Sequence, residues 1–338
     1  MEPIRNEITS EVLLCNADGT LNPQAIGWGR KPWWVDNLQG RPFRKKRWDY
    51  WCFMGPHQLF SLCLADVDYI GLGGAYVLDY ATSRMAECGI VSPLGRQPHM
   101  PPRAHGTATM RQGRSHMEMR FTETGGVLTT SVPKCGGRPL KAEMHVTFPQ
   151  DLDTLNVLVP WSTRNFQFTS KQLPLPCEGE VKWGDEVWTF GREDSFGVRD
   201  YGRGIWPYST NWNWAALSGR SGTDVYGLNL GGQWTDHTGA TENGLILNGT
   251  LHKIFEDAVF EYDRTNFMKP WRLHTPGTNA VDLRMVPFFD RHTHANLGIM
   301  RTNVHQCFGH FRGTISTGGH TVTVDNAIGW AEEQRARW

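Results

Sequence analysis

The sequence has no long apolar run, no net charge and little helical periodicity, and each absence removes a class of protein. No stretch reaches the roughly 20 apolar residues of a membrane-spanning helix. The first thirty residues are acidic and polar rather than leader-like, so neither a membrane span nor secretion is expected. Thirty-four basic residues cancel thirty-four acidic ones, whereas partners such as nucleic acid or an anionic membrane select a basic surface. The basic cluster RPFRKKR (41–47) runs into an apparent strand, KRWDYWCFM, and reads as its solvated entry. Seven widely spaced cysteines include no CxxC pair and give no disulfide framework. The odd count, with no leader, points to a reducing, cytoplasmic setting. SGRSG (218–222) is not a GxSxG elbow, and GLGG (71–74) departs from GxGxxG without opening a helix. A serine hydrolase of the elbow type and a dinucleotide site are therefore not expected, and no cofactor is called for.

What the chain does hold is fifteen tryptophans and thirty-seven glycines among 338 residues. Strand-like runs rich in β-branched and aromatic residues recur at 47–54, 58–67, 74–80, 140–148 and 154–161. They continue at 165–170, 186–190, 211–217, 224–232, 244–249 and 280–288, separated by turn signals such as GGRP, WGDE and STGGH. This spacing predicts an all-β fold: two antiparallel β-barrel or sandwich domains packed together, with few short helices. The proline-rich stretch 92–106 cannot join a ladder and reads as a loop or lid. A second irregular stretch, GREDSFGVRDYGRGIWPY (191–208), suggests a division into domains 1–190 and 191–338. Trp48-Asp-Tyr-Trp51 and Trp212-Asn-Trp214 each precede a hairpin, a weak echo between the two halves.

Two segments concentrate chemistry. In NLGGQWTDHTGATENG (229–244), Trp234, Asp236, His237, Glu242 and Asn243 fall together. A carboxyl beside indole rings holds its proton more readily and can act as an acid near neutral pH. The competing reading is a plain turn in which Asp236 binds backbone amides. In RDYGRGIWPYSTNWNWAALSG (199–219), Asp200, Tyr201 and Trp206 precede an alternation that puts Asn211 and Asn213 on one strand face and Trp212 and Trp214 on the other. Ordinary core packing with an Asp200–Arg203 surface pair competes with a pocket wall here. Asn211 and Asn213 are expected to line a cavity, and Asp200, Asp236 and Glu242 to converge on it. No metal is expected: His292 and His294 share a face, with His305 and His310 nearby in sequence, but no carboxylate or cysteine stands at a familiar ligand spacing.

DGTLNPQAIGWGRKP (18–32), RKKRWDYWC (44–52), LADVDY (64–69), DYGRGIWPYSTNWNWAALSG (200–219), GLNLGGQWTDHTGATENG (227–244), KPWR (269–272) and GWAEEQRARW (329–338) together resemble the bacterial "domain of unknown function 2804" family. The resemblance runs over essentially the whole chain. More remotely, that family is similar to lipocalin-like two-barrel proteins, including carotenoid 1,2-hydratases and some cyclising enzymes of polyketide biosynthesis. The resemblance implies two barrel-like domains, a ligand pocket at a barrel mouth or between them, and cofactor-free chemistry on a largely apolar substrate. It transfers no catalytic residue.

These readings lead to a cofactor-independent hydratase, lyase or isomerase acting on an isoprenoid, aromatic or polyketide-like compound. Its expected catalytic residues are Asp236, Glu242, Asp200 and His237. Its expected substrate-binding residues are Trp206, Tyr201, Asn211, Trp212, Asn213, Trp234 and Asn243. The alternatives are a lipocalin-like carrier of an apolar ligand, which needs the tryptophans but not the carboxyls, and a carbohydrate-active protein with open, coplanar rings. The expected partner is a hydrophobic small molecule, with no nucleic acid and no integral membrane segment, and the protein is expected to be a monomer or homodimer.

Overall fold

The computed structural model describes every residue except Met1, Gly95, Leu297 and Ile299. Among the described residues the regular structure is β, apart from a single 3-10 turn at Pro23–Ala25. Two antiparallel sheets carry most of it, beside a two-stranded parallel pair of Val12–Leu13 with Trp34–Val35. The first orders its strands Arg84–Pro93, Ile70–Asp79, Gln58–Asp66, Lys45–Met54, Phe196–Ile205, Phe166–Trp183, Arg138–Thr147, Gly125–Cys135, Ser115–Phe121 and Gly106–Gln112. Its two edge strands come back together, with Gln112 Nε2 donating to the Val91 carbonyl at 2.8 Å, so the sheet is a nearly closed barrel. The second sheet is a half-barrel built around Ser209–Ser221, Thr321–Arg337, Arg301–Ser316 and Val281–Asn296. No helix among the described residues is long and apolar enough to cross a membrane.

Period-two patterning sets most of these strands. In Arg138–Thr147, Leu140, Ala142, Met144 and Val146 are buried, and the polar residues between them are largely exposed. Phe166–Trp183 departs from alternation because both of its faces are covered along its first ten residues. Its prolines do not end it: Pro174 falls where the register with Phe196–Ile205 shifts. The strand therefore continues well past residue 170, where its sequence signal stops.

The stretch 191–208 corrects the expectation of an irregular linker. Phe196–Ile205 is a central strand, all ten of its residues buried, hydrogen-bonded to Lys45–Met54 on one side and Phe166–Trp183 on the other. Its glycines explain how so polar a sequence packs. A Cβ at Gly202 would lie 2.2 Å from Trp48 Cε2 and 2.6 Å from Gln167 Nε2, so only glycine lets those side chains approach. Its charges are neutralised inside the barrel. Arg199 meets Asp49 through a two-pronged contact of 2.6 and 2.9 Å, with both side chains 1% exposed. Arg203 lies over the Tyr201 ring at 3.7 Å and reaches Asp36 at 3.4 Å. The Asp200–Arg203 surface pair considered from the sequence does not form: Asp200 points out of the barrel toward a lysine.

The chain leaves the first sheet at Ile205 and enters the second at Ser209. The change of sheet thus falls at 206–208, not after residue 190. The proline-rich stretch packs on the barrel, where the Pro101 carbonyl accepts from Arg203 Nη2 at 3.3 Å and Tyr201 Oη at 3.4 Å.

Removing one member of a buried ion pair strands the other charge. Asp49→Asn is expected to destabilise the protein by about 3–5 kcal/mol, read as a lower denaturant midpoint at unchanged slope. A cost under about 1 kcal/mol would mean that Arg199 does not depend on this carboxylate.

Candidate functional site

Between the two sheets lies a cavity of about 350 Å³, within the size range of small-molecule sites. Alternation aims its walls. Trp48 and Tyr50 project from Lys45–Met54, and Thr169 and Lys171 from Phe166–Trp183. From the second sheet come Trp212 and Trp214 of Ser209–Ser221 and Glu332 and Gln334 of Thr321–Arg337. Each pair is an i, i+2 pair on one strand face. Trp206, on the short crossing between the sheets, and Trp234, on the turn after Asp224–Gly232, complete the aromatic lining.

The tryptophans form one cluster centred on Trp206. Trp234 stacks on it at 5.6 Å between ring centroids, while Trp161, Trp338, Trp48 and Trp212 meet it at 4.7 to 6.0 Å in tilted or edge-on geometry. Burial of an indole demands a partner for its N–H, and here those partners are the polar groups of the site. Trp48 donates to Asp200 Oδ2 at 3.0 Å, Trp234 to Glu242 Oε1 at 2.6 Å, and Trp212 to Glu332 Oε1 at 2.9 Å. Trp206 donates to Gln167 Oε1 at 2.6 Å and Trp214 to Asn229 Oδ1 at 2.7 Å. The rings are both wall and hydrogen-bond donors to the carboxyls.

At the centre sits Lys171, its side chain 5% exposed and its Nζ 3.1 Å from both Asp200 Oδ2 and Glu242 Oε2. Lys171 and Asp200 are register partners on neighbouring strands of the first sheet. Glu242 arrives from the other unit, one residue before the strand Asn243–Leu247. The Trp214 ring lies 4.1 Å from the ammonium. Burial opposes the Lys171 charge, but Asp200 and Glu242 outweigh it and hold its pKa above the ordinary value. Burial pushes the Glu242 carboxyl up, against the pull of Lys171. Glu332 is the third carboxyl. Burial raises its pKa to about 7, opposed by the Trp212 hydrogen bond and by Lys171 and Arg291. On the facing wall, Tyr50, Tyr76 and Gln306 close a hydrogen-bonded ring of 2.7 to 3.2 Å beside Arg291, whose guanidinium lies 4.3 Å from the Tyr76 ring centroid.

Of the residues singled out from the sequence, Asp200, Glu242, Trp206, Trp212 and Trp234 converge on this cavity. Asp236 and His237 do not: both are exposed, and Asp236 Oδ1 accepts the Gln233 amide in a turn. Tyr201 points into the first barrel, because side chains on its strand alternate and Asp200 faces out. Asn213 is buried on the face opposite the indoles, bonded to the Glu332 carbonyl and Tyr262. Asn211 is exposed and bonds Gln233. Asn243 is occupied by the Gly231 amide and the Glu256 carbonyl. The expected amide wall is therefore absent from this cavity, since the strand shows it only the indole face.

Lys171, Glu332 and the Tyr50–Tyr76–Gln306 group had not been singled out. Their positions share strand faces two residues apart: Gln167, Thr169 and Lys171 in FQFTSK, and Trp330, Glu332 and Gln334 in GWAEEQRARW. His292 and His305 stack at 4.0 Å, with His292 bonded to Asn303 and His305 to Asp290. Among the described residues no group of three or more His, Cys, Asp or Glu is arranged to hold a metal.

A nearly closed barrel and a half-barrel facing each other across an aromatic cavity define a lipocalin-like, two-unit β protein. CghA and a putative ATTH share this fold. CghA, seen with Sch210972, aligns with a TM-score of 0.53 at 10% identity over 87% of this chain and 88% of its own. A putative ATTH from Nitrosomonas europaea aligns at 0.52 and 10% identity, over 86% of this chain and 92% of its own. Kievitone hydratase from Nectria haematococca aligns at 0.47 and 9% identity, over 100% and 98%. No curated protein matches the sequence. The chain belongs to the family described as "Domain of unknown function (DUF2804)", whose model matches residues 5–338.

Because burial raises the Glu332 pKa from 4.5 to about 7, the folded protein binds a proton there that the unfolded chain has already released. This contribution is full below about pH 4.5 and lost as pH rises through 7, a difference of roughly 3 kcal/mol at most. Wild type is expected to lose stability between pH 5 and 8 relative to Glu332→Gln, measured by denaturant unfolding at each pH. Parallel pH profiles for the two proteins would contradict a raised Glu332.

Proposed function

We propose that this protein is a cofactor-independent acid–base enzyme that hydrates, eliminates from or isomerises a largely apolar small molecule held in the tryptophan cavity. The observation that carries this reading is the meeting of three buried carboxyls, one with a pKa of about 7, on a single apolar cavity. Such values suit proton transfer at neutral pH. Glu332 is the proton donor in this scheme. Trp212 holds its Oε1, leaving Oε2 to deliver the proton to an alkene carbon or an ether oxygen. The alkene π pair takes that proton, or the ether oxygen takes it and the C–O bond then breaks with its electron pair leaving on oxygen as a neutral alcohol. In either case positive charge develops on carbon beside the faces of Trp206, Trp212 and Trp234. Indole faces stabilise such charge, and exclusion of water strengthens the effect. In a hydration, water adds to the cationic carbon and its proton passes to the Asp200 or Glu242 carboxylate. In an isomerisation or elimination, the same carboxylates take the proton from carbon. Lys171 keeps these two carboxyls together and positioned.

CghA, which shares the fold, is seen with Sch210972, in keeping with a ligand-holding use of this fold. All seven cysteines are free, which supports a reducing, cytoplasmic setting. The carbohydrate reading loses support from the rings: Trp206, Trp214 and Trp234 are buried, and apart from the stacked Trp206–Trp234 pair the cluster around Trp206 is tilted or edge-on rather than coplanar along an open groove.

The test is turnover of isoprenoid, aromatic and polyketide-like alkenes and ethers in deuterated water, read by mass spectrometry. Glu332→Gln is expected to lower turnover about 100-fold or more while ligand affinity stays within about threefold. Wild-type turnover is expected to fall as pH rises through about 7, because the donor loses its proton. A ligand that binds and is always returned intact would instead make the protein a carrier. Unchanged turnover in Glu332→Gln would remove Glu332 from the chemistry.

A further inference from the structure

A second cavity, of about 480 Å³, lies on the other face of the second sheet, at the ends of the strands Ser209–Ser221, Arg301–Ser316 and Thr321–Arg337. Its lining is unlike that of the first. Arg264, Arg301, Arg335 and Arg337 line it with His294, Ser209 and Thr210. Glu333 answers part of this charge, pairing with Arg264 at 3.0 Å and Arg335 at 3.1 Å and accepting from the Tyr262 hydroxyl. The side chains of Arg301 and Arg337 have no ion pair or hydrogen bond among the described residues. They are register partners, directly opposite each other on adjacent strands. Like charges in that position repel and destabilise the pair, unless an anion is shared between them.

The two cavities meet at one place. Arg301 and Thr302 line both. They are the first two residues of their strand, so their side chains leave on opposite faces at the end of the sheet. Thr302 faces the aromatic cavity, where its Oγ1 accepts from Gln334 Nε2 at 3.1 Å. The two cavities thus adjoin at Arg301 and Thr302, with the guanidinium pair of Arg301 and Arg337 on the second.

From this we infer that the ligand of the tryptophan cavity is an amphiphile carrying an anionic group, a carboxylate or a phosphate, which Arg301 and Arg337 bind together while the apolar body lies among the indoles. Guanidinium groups are suited to this task, since each offers forked donors matching two anion oxygens. The anion would also relieve the repulsion between the two arginines. The Ser209 hydroxyl, on the same strand face as Asn211, is a further donor at this cavity. The inference rests on the aromatic cavity being a ligand site, and it narrows the substrate class to acids or phosphorylated forms of apolar compounds.

The test uses two fluorescent probes with the same anilinonaphthalene body. One, 1-anilinonaphthalene-8-sulfonate, carries an anion, and the other, N-phenyl-1-naphthylamine, carries none. The full-length protein is expected to bind the anionic probe about tenfold more tightly or better, with the preference shrinking as salt is raised. Arg301→Gln, Arg337→Gln and the double variant should abolish the preference, and Arg337→Gln, at a residue that lines only the basic cavity, should leave affinity for the neutral probe unchanged. Arg312→Gln removes the same charge from the far part of the Arg301–Ser316 strand, and should keep the preference. Equal binding of both probes by wild type, or a preference that survives the double variant, overturns the anionic inference and leaves the cavity reading standing. Binding of neither probe overturns both.

Discussion

The contact on which the site depends is the one between Lys171 and two carboxylates that reach it from different sheets. Asp200 lies beside it on the neighbouring strand, and Glu242 comes from the second unit, each 3.1 Å from the ammonium. An ammonium so deeply buried is tolerable only with close counter-charges. The two units therefore have to meet in the arrangement that supplies Glu242. That requirement makes the ion triad a fastening between the sheets as well as a feature of the cavity. Trp214, under the ammonium at 4.1 Å, adds a second tie from the same unit as Glu242.

The excess of tryptophan follows from this arrangement. Buried carboxyls need hydrogen-bond donors, and an apolar cavity needs a wall that brings no further charge. An indole meets both needs, since its N–H can hold an oxygen while its ring excludes water. Trp48, Trp212 and Trp234 do so for Asp200, Glu332 and Glu242 respectively. Trp206 acts differently. Placed on the crossing between sheets, it gathers the other rings around it and seals the junction. The charges inside the first barrel are a separate system. Arg199 and Asp49 satisfy each other away from the cavity, which lets a strand of alternating glycine and charge run through the middle of the molecule.

The division of labour between faces recurs in the second sheet. The even-numbered residues of its central strands present indoles and a carboxyl to the aromatic cavity, and the odd-numbered ones present amides and guanidinium groups to the basic cavity. One strand pair thus serves two chemically different spaces, which adjoin where the strands end at Arg301 and Thr302.

Local patterning was sufficient for the all-β class, for most strand positions and for the opposed faces of Trp212 and Asn213, because side-chain alternation is a property of the strand alone. It also led to Asp200, Glu242 and three of the lining tryptophans, whose residue types suit an acid site wherever they are brought together. It misjudged 196–205, since a run of glycine and charge resembles a linker until the partners that neutralise it are known. It placed Asp236 and His237 with Glu242 on nearness in sequence, yet one end of that turn faces water and the other faces the cavity. Lys171 and Glu332 became visible as site residues only in the fold. Alternation tells which face of its strand a residue occupies, whereas its counter-charge, its burial and hence its pKa depend on what distant strand is packed against that face, and only the tertiary structure decides that.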